Sequence, residues 1–173
     1  MGLTYISTPL DITTSDTPVT NVDITSGIDG TYNEYLFEFV NIHPSALQEF
    51  CFQVDTGENT SYNQPITSTF FAAAHAEDDQ AQGTGLQHLS SQFQSASNDS
   101  SLSGSMTLFD PSSSTYVKHF MATTSYFQQD PAAMVAHTAG YVNTTTALTR
   151  IRFKMDSGNI DAGVIKMYGL AKS

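Results

Sequence analysis

LTRIRFKMD, residues 148 to 156, alternates without a break: Arg150, Arg152 and Lys154 fall on one side of an extended chain, Ile151, Phe153 and Met155 on the other. Period two is the signature of a strand with one face buried, because successive side chains of an extended backbone point to opposite faces. The next segment, SGNIDAGVIKMYGL at 157–170, repeats the pattern with Ile165, Met167 and Tyr168 and is followed by only three further residues. Chain ends fray unless they are tied down, so apolar residues placed this late predict a closing strand stitched into a sheet.

The same reading carried upstream predicts an all-β fold. TYNEYLFEFVNI places Tyr35, Phe37 and Phe39 on one face and Leu36, Glu38 and Val40 on the other, both substantially apolar, which suits a strand well inside a sandwich. Pro44 removes a ladder donor and ends that strand. FCFQV, ITSTFFAAAH, GSMTLFD, TYVKHFMATTSYF and AAMVAHTAGYVN add further strands, and LTYISTP with TPVTNVDIT near the start brings the total to about nine. Eleven Phe and eight Tyr without Trp, and only 13% charged residues, agree with a β-rich chain. The expectation is a single antiparallel β-sandwich, jelly-roll-like, over residues 29–173. Residues 1–28, Thr-rich and carrying Pro9 and Pro18, read either as an extended arm packing on a neighbour or as plain edge strands. The Gly/Ser/Gln-rich run at 77–105 reads as a long surface excursion.

Charge is segregated along the chain. Residues 1–117 carry fourteen Asp and Glu and no base, and all six Lys and Arg (Lys118, Arg150, Arg152, Lys154, Lys166 and Lys172) follow, for a net charge of −11. Such a surface repels phosphate backbones, which argues against a nucleic-acid partner. No apolar run approaches the ~20 residues that span a bilayer, so no membrane insertion is expected, and the start Met1-Gly2-Leu3 lacks the basic and apolar segments of an export signal.

Chemistry-bearing motifs are sparse. His43, His75, His88, His119 and His137 show neither the one-face helical spacing nor the close pairing of zinc ligands. There is no G-x-S-x-G elbow, and no phosphate loop with its lysine, since no Lys precedes position 118. Glu77, Asp78 and Asp79 lack the alternate spacing of a calcium loop. Cys51, between aromatics in EFCFQV, reads as a buried free thiol. No catalytic residue, metal or cofactor is expected, and the chain is not read as an enzyme. The one candidate surface is the basic face of Arg150, Arg152 and Lys154. Three like charges on one strand face repel unless acids answer them, from a neighbouring strand or from another subunit, which makes this face a candidate assembly contact.

The ending GNIDAGVIKMYG, preceded by the Arg-containing strand, resembles the C-terminal signature of virion structural proteins of tailed bacteriophages, especially those of marine and cyanobacterial hosts. The similarity extends to YNEYLFEFVNIHPS, DQAQGTG, LFDPSSSTYVKHFMATTS and AGYVNTTTALTRIRF, touching most of residues 32–170. The resemblance implies a virion location and a capsid decoration or head-fibre subunit, assembling as a homo-oligomer, commonly a trimer, on the major capsid protein or other virion proteins. The alternative it leaves open is a tail-fibre or receptor-binding adhesin recognising a host surface glycan or protein.

Overall fold

Residues 2–13, 16–58, 60–76, 81–85, 100–128 and 132–171 are described by a computed structural model of the chain. Every regular element among them is a strand: β1 Leu3–Ile12, β2 Asn21–Ile24, β3 Tyr32–Pro44, β4 Phe50–Asp55, β5 Ile66–Ala76, β6 Ala81–Gly85, β7 Leu102–Phe109, β8 Lys118–Gln128, β9 Ala132–Val142, β10 Arg150–Met155 and β11 Ile160–Ala171. All ladders are antiparallel. The strands divide unequally into a broad eight-stranded sheet, β1-β11-β3-β7-β8-β9-β5-β6, and a narrow three-stranded one, β2-β10-β4.

The alternation in β10 explains how the two sheets meet. Ile151, Phe153 and Met155 are fully buried while the intervening basic residues are not. Phe153 enters a cluster with Phe37 and Phe39 of the broad sheet, ring centroids 5.2 Å away in each case, and with Phe50 of its own sheet at 6.0 Å. Phe52 meets Phe120 edge-to-face at 4.9 Å. Offset and perpendicular pairs of this kind add about 0.5–1.5 kcal/mol each beyond the area they bury. Tyr35, Met106, Leu108, Ile165 and Met167 complete the inner face of the broad sheet.

The closing strand is central to this arrangement. β11 lies between β1 and β3, pairing on both sides with strands from the first 44 residues. Its ladder with β3 breaks register around Ala162, where Gly163 has φ +129° and a side chain there would meet the Ile42 backbone at 2.8 Å. Only glycine tolerates both the dihedral and the approach.

Three sequence expectations change in detail. Residues 1–28 take the edge-strand form: β1 pairs with β11 and β2 with β10 of the same chain, and Leu10, Val22, Ile24 and Ile28 are buried in the common core. The run at 77–105 is not wholly an excursion, since 81–85 form β6 on β5 and Leu102–Ser105 lie inside β7; residues 77–80 and 86–99 lie outside the described residues. The second apolar face of β3, carrying Leu36 and Val40, is not covered by the narrow sheet. Only the inner face of the broad sheet is, because both faces of a strand cannot be buried by a single opposing layer.

Candidate functional site

Arg150, Arg152 and Lys154 project from the outer face of the narrow sheet, at the centre of its three strands. Their cross-strand partners set their surroundings: Arg150 lies opposite Asp55, Arg152 between Asp23 and Gln53, and Lys154 between Asn21 and Cys51. Arg152 donates from Nε to Oδ1 of Asp23 at 2.6 Å and from Nη2 to Oδ2 at 2.7 Å, a bidentate pair. The ring of Tyr62 lies 4.0 Å from its guanidinium carbon. The hydrogen bonds to Asp23 hold the Arg152 guanidinium above its ordinary value, and burial raises the Tyr62 hydroxyl. The acid answering this arginine therefore comes from the first 117 residues, within the same chain.

The loop that delivers Tyr62 is built on a buried acid. Asp55 is wholly enclosed, and its carboxylate accepts the backbone N–H of Gly57 at 2.6 Å and of Tyr62 at 3.1 Å. Tyr62 itself sits at φ +49°. Other ionisable groups are similarly engaged in structure: His43 meets Asp161 at 2.6 Å and His137 meets the Thr123 hydroxyl at 3.1 Å. Among the described residues no three His, Cys, Asp or Glu side chains group as metal ligands. His75 lies in β5 without a described side chain, and His88, Glu77, Asp78 and Asp79 lie outside the described residues.

A second surface emerges only from the sheet pairing. Tyr5, Tyr168, Leu36, Thr107, Met121 and Ala139 lie side by side in one continuous row across the outer face of the broad sheet. Parallel rows place Leu3 beside Leu170, Val40 beside Val164, and Phe71 beside His137. Six large apolar side chains are strongly exposed among the described residues, and five of them (Leu3, Tyr5, Val40, Phe71 and Met121, 39% to 60% exposed) share this face. Over Gly140 of β9, flanked by β8 and β5, the face dips into an apolar groove of about 500 Å³ lined by Phe109, His119, Met121, Ala139, Tyr141 and Thr69. His119 and Tyr141 pack edge-to-face at 6.0 Å.

Sequence reasoning missed this surface because no single strand displays it. Each contributes one or two apolar residues at solvent positions, which is ordinary for one strand taken alone. The available signal was the double-sided apolar pattern of residues 35–40.

No protein-family model, no curated protein and no solved structure matches this chain.

Proposed function

We propose that this chain is a non-enzymatic virion structural protein of a tailed bacteriophage, a capsid decoration or head-fibre subunit that assembles as a homo-oligomer, a trimer by the family resemblance, on the major capsid protein or a neighbouring virion protein. The phage assignment rests on the resemblance of residues 32–170 and of the GNIDAGVIKMYG ending. The observation that supports a binding rather than a catalytic role is the broad sheet's outer face, where five exposed large apolar side chains gather on one side of the molecule. Exposed apolar side chains collected on one face of a sheet suit an interaction surface. Three of the described acids are engaged in structure: Asp55 with loop amides, Asp23 with Arg152 and Asp161 with His43.

Cryo-electron microscopy of intact particles tests this reading. A decoration protein appears as density of this size repeated over the head lattice, at a copy number that follows capsid symmetry. Purified particles that contain no such chain by mass spectrometry would refute the assignment.

One observation favours the adhesin as second reading. The groove beside His119 and Tyr141 offers aromatic surface next to the Thr67 and Thr69 side of β5, a combination that suits a sugar ring. Location at the tail tip, with binding to a host glycan that Tyr141→Ala abolishes, would establish it.

A further inference from the structure

We infer that the outer face of the broad sheet is the surface through which a second copy of this chain packs, with the groove over Gly140 of β9 receiving an apolar side chain of that copy. The inference rests on the reading of the chain as a self-assembling subunit and names the surface that does it.

Size is the first argument. The exposed apolar residues are spread from β1 to β5, six strand spacings of ~4.8 Å, over about four cross-strand rows ~6.7 Å apart, with Ser105, Thr107 and Thr123 between them, and the face they mark out measures roughly 30 Å by 25 Å. That is on the order of 750 Å², close to the ~800 Å² per partner of a stable protein–protein interface.

Charge is the second. A chain at −11 associates with itself only where like charge is scarce. Over the middle of this face the formal charges are Glu34, Glu38 and Lys166, and Lys166 lies directly opposite Glu38 in the β11–β3 ladder. Asp11 stands at the rim, opposite Val164. Among the described residues few like charges stand on this face, so repulsion between two copies is low where these faces meet. A strongly charged partner would find no complementary field there, whereas an identical face offers the same mix of apolar and neutral polar side chains. Such a contact is isologous and two-fold, each patch serving as its own partner, so it pairs copies into dimers, in place of the trimer that the family resemblance implies.

The basic strand is a poorer candidate for the same role. Arg152 is already held by Asp23 and covered by Tyr62, and freeing it for another subunit would break a bidentate pair.

The test is sedimentation velocity on the purified full chain from about 1 to 200 µM, paired with hydroxyl-radical footprinting of Met121. Association is expected in the wild type, together with protection of Met121 that grows with concentration. Met121→Asp and Phe71→Asp, on different strands of the face, should each raise the dissociation constant by at least about 30-fold, the scale of an interface hot spot. Tyr116→Ser removes an exposed aromatic outside the face and should leave association unchanged. An oligomer that persists in both Asp variants, or that leaves Met121 as reactive as in the dilute chain, overturns the assignment of this surface while leaving self-assembly standing. A wild-type chain that stays monomeric at 200 µM overturns self-assembly as well. The footprint requires no variant, so misfolding of either substitution does not blunt the result.

Discussion

Arg152 and Asp23 lie 129 residues apart and form two hydrogen bonds, at 2.6 Å and 2.7 Å, that tie the central strand of the narrow sheet to its edge. The Tyr62 ring over the guanidinium excludes water from one side of the pair. An exposed ion pair contributes little, but bidentate geometry and a cation–π contact raise this one to about 1–2 kcal/mol. Arg152→Ala should lower unfolding stability by that amount. Arg152→Lys, which keeps the charge but loses the fork, should recover less than half. A double-mutant cycle with Asp23→Asn, read by urea denaturation, checks the coupling; a coupling near zero would show the contact to be incidental.

Phe153 is the side chain on which the two sheets close. Truncation to Ala removes its contacts with Phe37, Phe39 and Phe50 together and should cost about 3–5 kcal/mol, whereas Phe153→Leu should cost about 1–2 kcal/mol. Denaturant midpoints with an unchanged slope would locate the loss in the core.

Cys51 has its thiol pushed up to about 11, chiefly by burial and further by the carboxylates of Asp156 and Glu49. At pH 8 only about one thiol in a thousand is ionised, so alkylation of the folded chain should be at least ~10-fold slower than in urea. The sign of the linkage follows. The unfolded chain ionises first as pH rises from about 9.0, so this group lowers stability between there and about 11.

Lys118 presents the opposite case. Its side chain is buried, its Nζ donates to the Thr144 carbonyl at 3.1 Å, and burial lowers its pKa against the opposing pull of Asp110. The charged form is disfavoured in the fold, so the cost is fully present below the folded pKa and fades as pH rises toward the ordinary value of 10.5. The stability difference between Lys118→Met and the wild type should therefore move in favour of the wild type between neutral pH and 10.5. A difference that stays flat across that interval would contradict the burial account.

Gly169 lies beneath the ring of Tyr32, and a Cβ at that position would come within 2.4 Å of ring carbons Cγ and Cδ2. Gly169→Ala should cost about 1–3 kcal/mol by displacing the ring. Adding Tyr32→Ala should make the alanine at 169 nearly harmless, a non-additivity readable by thermal denaturation.

The strands and their buried faces were legible from residue order alone. Alternation marked Ile151, Phe153 and Met155 as core, left both faces of residues 35–40 open to burial, and identified the closing segment as part of a sheet. Those statements depend on a local rule: side chains two apart in an extended chain share a face, whatever the chain does elsewhere. Even Pro44 could be placed, since a missing N–H ends a ladder irrespective of its partner strand. β6 escaped the same reading because AQGTG at 81–85 carries no apolar alternation and is a strand only by pairing with β5.

Everything that depends on which strands become neighbours was decided by the tertiary structure. The sequence by itself determined an antiparallel all-β chain, its core-facing residues and the basic stripe of β10. It did not determine that the strands would split eight against three, that Asp23 would answer Arg152 across 129 residues, or that Leu3, Tyr5, Val40, Phe71 and Met121 would share one uncovered face. The physical reason is that alternation records only the two sides of each strand. Which side meets water is set by which face the opposing sheet packs against, and here the narrow sheet covers only the inner face of the broad one.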